Sequence, residues 1–127
     1  ARWLVWDKRA GISPNDQADC EMAWTNRGGV ARLFSRYWNG AQATERFERR
    51  VHSNQKPISL FVWCMDVLAI PRGATILDPF MGSGTTGVAC VQTGRNFIGF
   101  EISEEYFAIA QKRIAEAQMQ PALMEAL

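Results

Sequence analysis

The feature that most limits what this chain can fold into is a change of backbone regime at Asp78. Ala74-Thr75-Ile76-Leu77-Asp78 is a short β-branched run preceded by Pro71-Arg72-Gly73, which reads as a turn feeding a strand. Residues 78 to 87, DPFMGSGTTG, follow as a Gly-rich turn that opens a helix. Gly84 to Thr93 spaces Val88, Ala89 and Val91 as one helical face, and Gly94 fits the C-terminal stop. Asn96 to Glu101 is a second strand, ending in an acid, and Ser103 can cap a further helix with Tyr106, Phe107, Ile109, Ala110 and Ile114 at helical spacing. The order strand, helix, strand, helix implies parallel strands joined by a right-handed crossover, and hence an α/β fold.

A tight glycine turn lets a ligand approach the backbone, and a helix N-terminus favours the negative end of that ligand. Gly82-Ser83-Gly84-Thr85-Thr86-Gly87 satisfies G-x-G-x-x-G, with Glu101 near the distance at which such folds hold a ribose. That pattern alone does not separate a nicotinamide site from a methyl-donor site. Two details favour the methyl donor. Asp78-Pro79-Phe80 puts an acid ahead of the first glycine, where it repels a pyrophosphate but accepts hydrogen bonds from an ammonium. Ser83, Thr85 and Thr86 add hydroxyls beside the helix N-terminus, suited to a carboxylate.

Beyond these residues the chain resembles a known family. His52-Ser53-Asn54-Gln55-Lys56-Pro57, then Asp78 to Thr86, then Ile98-Gly99-Phe100-Glu101-Ile102 with Tyr106-Phe107, look like the DNA methyltransferases that modify the exocyclic amino group of adenine or cytosine. Trp3-Leu4-Val5-Trp6-Asp7-Lys8 and Ala18 to Thr25 resemble strand segments of the same family, in its permuted motif order, so the resemblance runs from Trp3 to about Ile114. It implies a Rossmann-like S-adenosylmethionine-dependent methyltransferase fold. It further implies that Asp78, Phe80, Gly82, Ser83, Gly84, Thr85 and Thr86 line the methionine end of S-adenosylmethionine, that Glu101 accepts from the ribose hydroxyls, and that Lys56 with its neighbours closes the pocket. Each has a plainer reading: the glycines could serve only a tight turn, Phe80 could be core, Glu101 could be a solvated strand end, and Lys56 a surface lysine.

The family also carries a polar residue followed by two prolines and an aromatic, which accepts hydrogen bonds from the target amino group and stacks on the flipped base. No two consecutive prolines occur here; Ser13-Pro14-Asn15 lacks the second proline and the aromatic. In the permuted order that catalytic strand belongs upstream of Ala1. The expectation is therefore an incomplete fold with no catalytic residue of its own, inactive by itself, whose strand ending at Asp78 has an open edge. Such an edge calls for a rearranged sheet, for self-association, or for a second chain carrying the missing segment.

The 127 residues, 47% of them hydrophobic, suit one domain: a partial methyltransferase domain over 1–127, with a variable basic region at 27–53 and a cofactor-binding core at 54–117. From Arg27 to Arg50 six arginines face two glutamates, with Tyr37, Trp38 and Phe47 among them. Arg36, Arg46, Arg49 and Arg50 are the candidates for phosphate contacts with double-stranded DNA, against the plainer reading of a solvated face with Glu45 and Arg49 paired. Asn39 to Ser53 reads as a loop or a short polar helix, Ile58 to Ile70 as a buried helix with Trp63 and Met65 in the core, and Gln118 to Leu127 as a segment that docks on a partner chain. Cys20, Cys64 and Cys90, with His52 the one histidine, form no metal-binding pattern and read as reduced thiols of a cytoplasmic protein. Neither a membrane span nor a signal peptide is expected. Two other readings stay open: an inactive S-adenosylmethionine-binding remnant or partner subunit and, more distantly, a fragment of an NAD-dependent oxidoreductase.

Overall fold

The computed structural model describes residues 1–13, 16–38 and 55–125, with side chains as far as residue 120. Its elements in chain order are β1 (Arg2–Asp7), β2 (Cys20–Thr25), β3 (Arg32–Ser35), α1 (Ile58–Val67), β4 (Thr75–Asp78), α2 (Thr85–Gln92), β5 (Asn96–Gly99) and α3 (Glu104–Glu125). The strands form two sheets rather than one. β1 lies between β2 (antiparallel) and β3 (parallel), while β4 pairs in parallel with β5, placing Ile76 opposite Phe97 and Leu77 opposite Ile98. The expected neighbour of β4 is thus present on one side; among the described residues no strand pairs with its other edge. β5 ends two residues before Glu101 because the Phe100 carbonyl accepts from Met81 N–H at 2.9 Å, leaving the ladder for the turn.

The two-residue period of a strand explains what is covered. Ile76 and Phe97 face the helices and pack against buried Met65, Ala89 and Cys90. Their neighbours Leu77 and Ile98 face the other way and stay exposed. In the first sheet Trp6 packs with Trp38 and Leu60, and Phe34 meets Trp63 at 5.3 Å between ring centroids, whereas Met22, Trp24 and Leu33 are exposed. Trp63 and Met65 are therefore core, as their sequence context predicts. Among the described residues each sheet keeps one face bare, although a parallel pair such as β4–β5 is ordinarily covered on both faces.

The apolar run after Pro57 forms α1, and a backbone reversal ends it. Ala69 adopts the left-handed conformation (φ 52°), Ile70 N–H reaches back to the Met65 carbonyl and Ala69 N–H to that of Asp66, both at 3.0 Å. The carbonyls this motif leaves over are taken by arginines from three other segments: Arg2 donates to Val67 O (2.9 Å), Arg27 to Leu68 O (2.6 Å) and Arg95 to Ile70 O (2.7 Å). The end of α1 thereby ties β1, the segment after β2 and the start of β5 together. Arg27, counted above in the basic region, is structural. Ser103 caps α3 through its hydroxyl, which accepts Tyr106 N–H at 3.3 Å, and Glu104 and Glu105 suit the positive end of the helix. The segment expected to dock on a partner begins inside α3, which continues to Glu125. No helix among the described residues is long and apolar enough to cross a membrane.

Candidate cofactor site at the glycine-rich turn

The turn between β4 and α2 is held by two carboxylates, one from each strand end. Asp78 Oδ1 accepts Phe80 N–H at 3.0 Å and Oδ2 accepts the Thr86 hydroxyl at 2.8 Å, so the acid spans the turn from its first residue to the first turn of α2. Glu101 Oε1 accepts Gly82 N–H at 3.0 Å and Oε2 accepts Ser103 N–H at 2.8 Å. Glu101 is thus no solvated strand end; it fixes the turn and the start of α3 together. Each carboxylate oxygen retains a further lone pair toward a ligand.

Gly84 stands at the N-cap of α2 in the left-handed region (φ 83°), and a Cβ there would meet Ala110 Cβ at 2.9 Å. Gly87 permits a different close approach, since a Cβ would sit 2.6 Å from Ile114 and 2.7 Å from Phe97. The glycines accordingly serve both a backbone conformation and the seating of α2 against β5 and α3.

The predicted residues divide by exposure. Phe80 is 88% exposed, which excludes the core reading; Asp78, Gly82 and Glu101 are half-buried. Ser83, Thr85 and Thr86 are buried, with Thr86 on Asp78 and the other two hydroxyls facing Arg113 of α3. The Phe80, Met81 and Gly82 N–H groups are taken by Asp78, the Phe100 carbonyl and Glu101, so what the site offers an anion is the N-terminus of α2. Lys56 is half-buried and makes no hydrogen bond or ion pair to the turn; its neighbour Gln55 is the one that reaches it, accepting the Ser83 hydroxyl at 3.4 Å while 6% exposed. Arg36, a candidate DNA contact, donates to Ser59 Oγ at 2.8 Å. Arg46, Arg49 and Arg50 lie outside the described residues.

Sequence reasoning missed three residues here. Gln55 enters the sequence reading only as a neighbour of Lys56, which its charge singles out. Arg113 lies thirty positions from Ser83, beyond any local pattern. Ile102 directly follows Glu101 and is 100% exposed, an apolar surface at the end of the strand. Only its place after the acid could have drawn attention to it.

A family model described as DNA methylase matches residues 4–112, a span that takes in both sheets and the turn. The chain belongs to the DNA methylase family. Family membership disfavours the nicotinamide reading that the glycine spacing had left open. Among curated relatives the chain is 39% identical over 79 residues to the type II methyltransferase M.HinfI of Haemophilus influenzae, covering 62% of this chain and 22% of that protein. It is 42% identical over 79 residues to the type II methyltransferase M2.DpnII of Streptococcus pneumoniae, covering 61% of this chain and 29% of the relative. Among solved structures, the M1.HpyAVI complex with SAM superposes with a TM-score of 0.63 at 28% identity, over 88% of this chain and 60% of that one. A putative DNA modification methylase of Thermus thermophilus shares the fold, with a TM-score of 0.53 at 22% identity, over 91% of this chain and 52% of that one. The chain spans less than a third of these curated relatives and about three fifths of the M1.HpyAVI chain.

Proposed function

We propose that this chain binds S-adenosylmethionine at the turn between β4 and α2 and forms the methyl-donor part of an enzyme that methylates an exocyclic amino group of adenine or cytosine in DNA. The observation that carries the reading is the pair of acids at adjacent strand ends, Asp78 and Glu101, bracketing the glycine-rich turn and the N-terminus of α2. The residues suit the cofactor piece by piece. Asp78 accepts from the ammonium of the methionine moiety, the N-terminus of α2 favours its carboxylate, Glu101 accepts from the ribose hydroxyls, and exposed Ile102 offers an apolar surface to the base. Bound there, S-adenosylmethionine supplies an electrophilic methyl group on its sulfonium.

What the chain's own residues contribute is binding and orientation. Holding the donor fixed against the target nitrogen replaces an encounter in solution by an aligned contact, the chief source of rate in a direct transfer. The segment that polarises the amino group would come from elsewhere, beside the unpaired edge of β4; the bare faces at Leu77, Ile98, Trp24 and Leu33 support completion by further polypeptide, in the same protein or a second chain. Arg46, Arg49 and Arg50 remain the proposed phosphate contacts, in an intracellular protein related in sequence to type II methyltransferases. Equilibrium dialysis with labelled S-adenosylmethionine, with NAD as competitor, tests the binding. Adding upstream polypeptide that carries the polar-Pro-Pro-aromatic segment tests the chemistry, with methyl groups expected on DNA only in the mixture. Retention of NAD, or failure to retain S-adenosylmethionine, would refute the reading.

A further inference from the structure

We infer that Arg113 is a positioning residue for the methionine end of the site, acting through the glycine-rich turn from behind it; this rests on the cofactor reading above. One guanidinium nitrogen, Nη1, donates to the Ser83 carbonyl at 2.8 Å and to the Ser83 and Thr85 hydroxyls at 3.0 Å each. Those three oxygens belong to the last residue before Gly84 and the first residue of α2, so a single nitrogen grips both sides of the left-handed N-cap.

The grip has a packing counterpart. Ala110 stands one turn before Arg113 on α3, is fully buried, and occupies the place into which a Gly84 side chain would project. Ala110 sets how closely α3 approaches the turn, and Arg113 sets how the turn is rotated against it. Because arginine can only donate, the hydroxyls and the carbonyl must all act as acceptors toward it. That fixes the peptide between Ser83 and Gly84 with its carbonyl pointing back to α3 and its N–H in the opposite sense. The Gly84 N–H bonds the Met81 carbonyl at 2.9 Å and the Gly82 and Met81 N–H groups bond Glu101 and the Phe100 carbonyl, so the turn's backbone is fixed on every side from which α2 begins. Arg113 therefore touches no ligand; it orients the backbone that does.

The test separates the two ends of the cofactor. The 127-residue chain and its Arg113→Met and Arg113→Lys variants are titrated calorimetrically with S-adenosylmethionine and with 5′-methylthioadenosine, which lacks the amino and carboxylate groups. Thermal unfolding of each, and of Ala117→Gly as a destabilised α3 variant outside the turn, is measured in parallel. The expected result for Arg113→Met is about tenfold weaker S-adenosylmethionine, the size of one lost charge-assisted hydrogen bond, with methylthioadenosine changed less than about twofold. Lysine, whose ammonium can make several bonds from one nitrogen, should recover most of the loss. Equal weakening of both ligands, the same pattern in Ala117→Gly, no weakening in Arg113→Met, or no recovery by lysine would each overturn the assignment. If the unaltered chain binds neither ligand, the cofactor reading itself fails, and the inference with it.

Discussion

Gly84→Ala tests the architecture of the turn with both of its costs visible in the structure. The residue sits at φ 83°, where a side chain costs about 1–2 kcal/mol in backbone strain. Its new Cβ would also lie 2.9 Å from Ala110 Cβ and 3.0 Å from Ala110 Cα, overpacking that costs about 1–3 kcal/mol. Together the substitution should destabilise the chain by roughly 2–5 kcal/mol, a fall in Tm on the order of 10 °C. Urea denaturation of Gly84→Ala, Ala110→Gly and the double variant separates the two terms. Ala110→Gly alone should cost about 1 kcal/mol as a helix-interior glycine. In the double variant it should give back about 1 kcal/mol, because it relieves the Cβ contact while the contact to Cα and the strain persist. A loss below about 0.5 kcal/mol for Gly84→Ala, or additive single and double variants, would refute the proposed packing of α3 on the turn.

Thr86→Val keeps the shape of α2 but removes the hydroxyl that donates to Asp78 at 2.8 Å, and should cost about 1–2 kcal/mol in urea melts; an unchanged midpoint would mean the bond contributes nothing. Glu101→Gln replaces an acceptor of two backbone N–H groups by a side chain that can accept only one without a donor clash, and should cost about 1–3 kcal/mol as well as weakening S-adenosylmethionine; wild-type stability would contradict the bridging role. Burial pushes the Cys64 and Cys90 thiols up to about 11, while Cys20 is exposed. At pH 8 a disulfide reagent should therefore titrate one thiol per folded chain, and fast reaction of two or three would refute the burial. The same shift has a sign in stability. The folded chain holds these protons to higher pH than the unfolded one, so stability should fall as pH rises from about 9 through about 11, checked by melts across that range.

The site was legible in the sequence where its chemistry is local. The β4–turn–α2–β5 run declares itself through Asp78, the glycines and Glu101, since strand, turn and helix there are each set by residues a few positions apart. What escaped was non-local. Nothing near Arg113 says that it will meet Ser83, and nothing near Arg2, Arg27 or Arg95 says that all three will converge on the carbonyls that end α1. Arg27 counts toward the basic region and Arg36 reads as a phosphate ligand because a charge count treats every arginine as a solvent-facing cation. In the structure Arg27 donates to the Leu68 carbonyl at the end of α1 and Arg36 to Ser59 within it. Lys56 stands out ahead of Gln55 for the same reason, since charge is visible in a sequence and burial is not. The separation into two sheets was hidden too, because alternation shows that a run is a strand but carries no information about which strand lies beside it.

Calorimetric titration of the chain and of its Asp78→Ala variant with S-adenosylmethionine, with NAD run in parallel, tests the central claim most directly. Saturable binding of S-adenosylmethionine alone, lost or strongly weakened in the variant, is the predicted result. Binding that survives loss of Asp78, or heat released only by NAD, would contradict a methyl-donor site built on this turn.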